Sequence, residues 1–308
     1  MSAAETPSAG LNRKYLRIAD LRRLKDQFFS SRRVVEGQYA GRHSSSQRGH
    51  SVEFNDYRQY MPGDEIGDID WKVYARSDKM FVKLFEHQSD MTVNLLVDAS
   101  ASMAYGGVKS EGPSKYDHAC MMAAAIAFLT TRQQDKVSFG LAAGGLAGFR
   151  RPHGSMQHLV GILDQMEATA PAGEAALGEA LRKMAGLIGR RGLLVVFSDL
   201  LDEPQPIFDA LSIFTHRGSE VILFHVMHAD ELKLPPMQEA IFLDSETHRR
   251  VSLNVEDVRS AYGERLRRFL DGWSTACKGR GIDYNLVSTA TGYSRALEQY
   301  LFQRAAMV

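Results

Sequence analysis

The sequence predicts an α/β fold built on a doubly wound, mostly parallel sheet, and three observations carry that prediction. From Met91 onward, strand-like and helix-like runs alternate, as expected when each strand is followed by a crossover helix. The runs TVNLLVD, GLLVVFSDL and EVILFHVMH are almost continuously apolar, the pattern of strands covered on both faces. Two of them lead directly into a carboxylate, Asp98 and Asp199, at the sheet edge where open α/β folds bind their ligands.

The elements follow in order. Residues 1–10 read as a flexible tail. Between Leu11 and about Arg33, Leu21, Leu24 and Phe28 fall on one helical face among many basic residues, predicting an amphipathic helix. A polar, glycine-bearing stretch follows, and Pro62-Gly63 marks a tight turn because proline presets φ and glycine tolerates positive φ. The run KMFVKLFEHQSD alternates like a half-buried strand. Residues 11–90 are therefore taken as a small helix-plus-strand layer, and 91–308 as the α/β domain. Within the latter, helices are expected over Ser114–Gln134, Ser155–Thr169, Leu177–Ile188, Pro206–Arg217, Val255–Lys278 and Ser294–Ala306. A short strand pair is expected around Gly144-Gly145, a hairpin in AIFLDSETHRRVSLN, and a last strand in IDYNLVSTA.

Composition narrows the function classes. The 308 residues are 44% hydrophobic and 24% charged, which excludes a disordered chain. Lys plus Arg and Asp plus Glu both number 37, and that balance argues against nucleic acid or an anionic membrane as partner. The exception is Leu11–His50, where ten basic residues against three acids (Asp20, Asp26, Glu36) leave about +7, a surface suited to an acidic partner or to the rest of the chain. Cys120 and Cys277 match no metal or disulfide spacing, so both read as buried apolar residues in a reducing compartment. The N-terminus carries no signal-peptide pattern, and the most apolar helical run, CMMAAAIAFL, has ten residues, about half a bilayer span. A cytoplasmic protein is expected.

The chemistry gathers at the strand ends. If the strands before Asp98 and Asp199 are neighbours, their carboxylates converge, and Ser100 and Ser102 add hydroxyl oxygens. A hard cation such as Mg²⁺ takes about six oxygens, several from water and one or two from carboxylates. The competing reading is that the acids cap neighbouring helices and the serines bond their own backbone in a turn. A second acidic group, Asp64, Asp68 and Asp70 beside Trp71 and Arg76, lacks a nucleophile and base pair and is read as structural, with Trp71 packing the small layer and Arg76 forming a buried ion pair. The ten histidines show no zinc spacing, and His225 and His228 read as core or rim residues. No Walker A, GxGxxG or GxSxG motif occurs, which removes support for phosphate-cradling and acyl-transfer chemistry.

The stretch Asp98-Ala-Ser100-Ala-Ser102 resembles the DxSxS element of the metal-ion-dependent adhesion site in von Willebrand factor A-type domains, with Asp199 at the later aspartate. The upstream segment YMPGDEIGDIDWKVYAR resembles the signature of the bacterial family called domain of unknown function fifty-eight, in which these motifs precede an A-type domain. The resemblance runs to the final helix LEQYLFQR. It implies a von Willebrand factor A-like domain, a divalent cation as cofactor, and a non-enzymatic module that binds a protein partner, with a MoxR-type AAA+ ATPase as that partner in complex assembly or remodelling. The expected ligand set is Asp98, Ser100, Ser102, Glu174 and Asp199. One departure stands out: Ala175 occupies the place of the usual threonine, so metal binding is weakened or lost unless Glu174 supplies the missing oxygen. Two rival functions follow from the residues: a metal-dependent phosphoester hydrolase using Asp98 and Asp199, and capture of an acidic or nucleic-acid partner by the basic N-terminal helix.

Overall fold

A computed structural model describes residues 13–17, 29, 52–60, 70–77, 80–87, 91–109, 112–243, 245 and 249–306. The expected tail, the helical face of Leu21, Leu24 and Phe28, the Pro62-Gly63 turn, Asp64 and Asp68 lie outside them. The chain divides into two compact units, Glu36–Asp90 and the remainder.

In the smaller unit, β1 (Val52–Gln59) pairs antiparallel with β2 (Phe81–His87), and α1 (Trp71–Ser77) lies between them in sequence. Asp70 starts that helix. Its Oδ1 accepts from the Val73 N–H at 3.3 Å, an Asx cap on a helix with no other acid in its first turn. The expected role of Arg76 needs correction: it is exposed and so forms no buried ion pair, while Trp71 at the helix start is 54% exposed.

The larger unit is the α/β domain. Its six-stranded sheet runs β10-β7-β6-β3-β4-β5, built from β3 (Thr92–Asp98), β4 (Lys136–Ala142), β5 (Leu146–His153), β6 (Leu193–Ser198), β7 (Glu220–Met227) and β10 (Asp283–Ser288). Every neighbouring pair is parallel except β4 with the edge strand β5. A separate hairpin joins β8 (Glu239–Leu243) to β9 (Arg250–Asn254). Strand order reverses at β3: the chain first moves outward through β4 and β5, then returns to place β6 on β3's other side. The crevice between the carboxyl ends of β3 and β6 is thus the topological switch point.

Alternation along each strand feeds two cores. Leu95, Val97, Val195 and Phe197 face the core shared with α2 (Lys115–Arg132), α3 (Met156–Ala168) and α8 (Tyr293–Ala306). Leu96, Leu194 and Val196 face the one shared with α4 (Leu177–Leu187), α5 (Pro204–His216) and α7 (Val255–Lys278). Both faces are covered, which is why these strands carry no polar alternation. The run of alanines in α2 lets that helix lie close against the sheet, with Ala119, Ala123, Ala124, Ala125 and Ala127 all fully buried. Tyr15, Leu16 and Phe29 join the first core, and Tyr15 donates to Asp117 at 2.8 Å, so this N-terminal segment belongs to the α/β unit.

Candidate functional site

The first strand-end loop is built around Asp98, the last residue of β3 and 2% exposed. Its Oδ1 accepts the Ser100 N–H at 2.9 Å, closing an Asx turn that redirects the chain into a short 3₁₀ segment, Ala101–Ala104. Its Oδ2 accepts the Ser198 hydroxyl at 2.6 Å from the end of β6, across the switch point. The Ser100 and Ser102 hydroxyls share a hydrogen bond of 3.1 Å. The loop before α4 is stitched alongside by the backbone: the Ala101 N–H donates to the Gly173 carbonyl at 2.9 Å, and the Ala172 N–H to the Ala99 carbonyl at 2.9 Å.

Asp199 follows β6 and meets a group that the sequence reading passed over. The ammonium of Lys115, 1% exposed, lies 2.7 Å from Asp199 Oδ2 and 2.6 Å from Glu231 Oε1. Glu231 sits on α6 (Ala229–Leu232), directly after β7, and its other oxygen accepts the His228 N–H at 2.8 Å. The connections after three adjacent strands of the sheet therefore contribute: Lys115 after β3, Asp199 after β6, and Glu231 after β7. Burial pulls the Lys115 ammonium towards losing its proton, but Asp199 and Glu231 outweigh that and hold its pKa above the ordinary lysine value. Burial, reinforced by the Asp199 carboxylate, pushes Asp98 up to about 6, against hydrogen bonds from Ser198 and Ser100 that favour its charged form.

The structure thus brings Asp98, Ser100, Ser102 and Asp199 to one corner. Glu174 is exposed on the loop whose backbone is hydrogen-bonded to the strand-end loop at Gly173 and Ala172. Sequence reasoning missed Lys115, Ser198 and Glu231. A signal for Lys115 existed. It directly follows the N-cap Ser114 of α2, where the helix macrodipole disfavours a cation, so its placement there calls for acidic partners nearby.

A family model described as protein of unknown function DUF58 matches residues 56–269. The chain belongs to this family. It is 29% identical over 220 residues to the uncharacterized proteins Mb1516 of Mycobacterium bovis and Rv1480 of Mycobacterium tuberculosis, covering 69% of this chain and 67% of theirs. Among solved structures it is similar to the conserved hypothetical protein BatB from Bacteroides thetaiotaomicron, at 15% identity and a TM-score of 0.44 over 71% of this chain and 100% of that one. It is also similar to the SpRpn10 VWA domain, at 12% identity and a TM-score of 0.41 over 68% of this chain and 94% of the other. Among the described residues of this DUF58 member, no helix is long and apolar enough to cross a membrane.

The cation implied by the adhesion-site resemblance can be tested against these donors, and they do not fit it. Asp199 is engaged by an ammonium, the two serine hydroxyls bond one another, and both Asp98 oxygens already accept hydrogen bonds. Glu174 is turned out to solvent. Asp98, Ser100, Ser102 and Asp199 are each at most 6% exposed, whereas a hydrated divalent ion keeps several waters in its coordination shell. Among the described residues no group of three or more His, Cys, Asp or Glu is placed to hold a metal.

Proposed function

We propose that this DUF58 member is a non-enzymatic protein-interaction module that engages its partner through the loops at the carboxyl ends of the sheet. The observation that carries the reading is the state of the switch point. Where an α/β sheet ordinarily presents reactive groups to a ligand, the carboxylates here are spent on Lys115, Ser198 and backbone N–H groups. The rim around that closed centre is instead open and sticky: Val108, 56% exposed, lies in the loop after β3, and Leu201, 57% exposed, in the loop after β6. Exposed aliphatic side chains at the edge of a rigid scaffold are what a protein partner can bury. As its partner we propose a MoxR-type AAA+ ATPase, in complex assembly or remodelling, on the sequence resemblance alone.

The test is binding of the purified chain to a purified MoxR-type ATPase by biolayer interferometry, with Val108→Asp and Leu201→Asp as variants. Both positions are solvent-exposed, so folding should be unaffected, while an aspartate on each contact should weaken association about tenfold or more, as expected for central apolar contacts. Absence of binding would retire the partner, and binding untouched by both variants would move the interface elsewhere.

A further inference from the structure

The polar centre of the switch point holds a cation after all, one supplied by the chain itself. We propose that Lys115 is a tethered replacement for a divalent ion: its ammonium sets the three strand-end loops and makes the module's binding face independent of metal. Asp199, like Asp98 beside it, is 2% exposed, and a carboxylate buried at the sheet edge needs a positive charge as partner to stay ionised. Lys115 supplies it at 2.7 Å from Asp199, while its second contact, 2.6 Å to Glu231, extends the same charge to the loop after β7. A metal ion in such a place would tie together loops from separate strands by ligation. Here the ammonium does so by charge-assisted hydrogen bonds, using a side chain that is itself anchored at the start of α2 by the Ser114–Asp117 capping box.

Two departures from the adhesion pattern fit this exchange. The threonine position is Ala175, and the neighbouring Glu174 is exposed, so the loop before α4 contributes backbone to the corner but no side-chain ligand. A site that carries its own cation has no use for that ligand. The inference deepens the interaction-module reading, yet its test uses the isolated chain, so either can fail without the other.

Thermal unfolding of the full chain is compared in EDTA and in millimolar Mg²⁺ or Mn²⁺, with Mn²⁺ binding followed by electron paramagnetic resonance. The wild type is expected to show no metal-dependent change in Tm and no bound Mn²⁺. Lys115→Ala, which removes the ammonium and opens room between Asp199 and Glu231, is expected to melt lower and to gain Mn²⁺ binding. Lys115→Arg, which keeps the charge, should stay blind to metal. A wild-type Tm that rises by about 5 °C or more with Mg²⁺, the order expected for a saturated site, would overturn the proposal, and so would bound Mn²⁺ in the wild type. The wild-type measurements decide the matter even if the alanine variant does not fold.

Discussion

Replacing Lys115 by methionine, which keeps most of the stem and deletes the charge, has a consequence that can be worked out from the geometry. Unit charges 2.7 Å apart, the Lys115–Asp199 separation, attract by about 6 kcal/mol at an effective dielectric of 20. Desolvating an ammonium and a carboxylate costs several kcal/mol per ion, so the intact pair adds little net stability. Breaking it is another matter. Asp199, 2% exposed, would be left beside Asp98 with no counter-charge, and an orphaned buried ion costs about 3–5 kcal/mol out of the roughly 5–15 kcal/mol that holds a domain together. Glu231, whose side chain is 24% exposed, keeps its water and loses less. Asp199→Asn should therefore destabilise less than Lys115→Met, because the ammonium retains Glu231, and Glu231→Gln least of all. In the double variant Lys115→Met/Asp199→Asn both charges are gone, and about 2 kcal/mol of the summed single costs should be recovered. Urea unfolding with an unchanged m-value measures all four. Additivity within about 0.5 kcal/mol, or a Lys115→Met cost below about 1 kcal/mol, would refute the reasoning.

Other perturbations read different parts of the same domain. Gly192, which precedes β6, has φ +121°, and an added Cβ would lie 2.7 Å from the Thr92 carbonyl; Gly192→Ala should cost about 2 kcal/mol or more through backbone strain and overpacking, seen as a lower urea midpoint. Between β3 and β4, the Ser138 hydroxyl donates to Asn94 Oδ1 at 2.7 Å in a fully buried pair, so Ser138→Ala should cost about 1–3 kcal/mol by orphaning the amide oxygen, and Asn94→Leu added to it should restore part of the loss. Burial holds the His118 imidazole down to about 4, below its unfolded value. Its stabilising contribution is full above pH 6.5 and is lost as pH falls towards 4, by about 2 kcal/mol between pH 6.5 and 5. His118→Gln should flatten that part of the stability profile, and an unchanged slope would count against a buried neutral histidine. Asp98, raised to about 6, acts with the opposite sign in the same window, so the comparison must be of slopes between variant and wild type.

The sequence by itself determined the elements and their class, because those depend on interactions a few residues apart. Continuous apolar runs at β3, β6 and β7 announced strands covered on both faces. The helices expected over Ser114–Gln134 and Val255–Lys278 appear as α2 and α7, and the structure shows them N-capped by Ser114 and by Asn254, whose side chain accepts the Glu256 N–H. Asp98 and Asp199 were legible as a pair because parallel strands place their carboxyl ends at one edge once they are neighbours. What only the tertiary structure decided is which groups complete that corner. Lys115 is 84 residues from Asp199 and 116 from Glu231, and no local pattern ties them. Their contact exists because the order β7-β6-β3 lays three crossovers side by side. The same applies to Ser198, which reaches Asp98 across 100 residues, and to Glu174, which the motif gave a ligand's role and which the structure leaves exposed. The charge balance of a buried site depends on every group within a few ångströms, and folding brings those groups from distant parts of the chain.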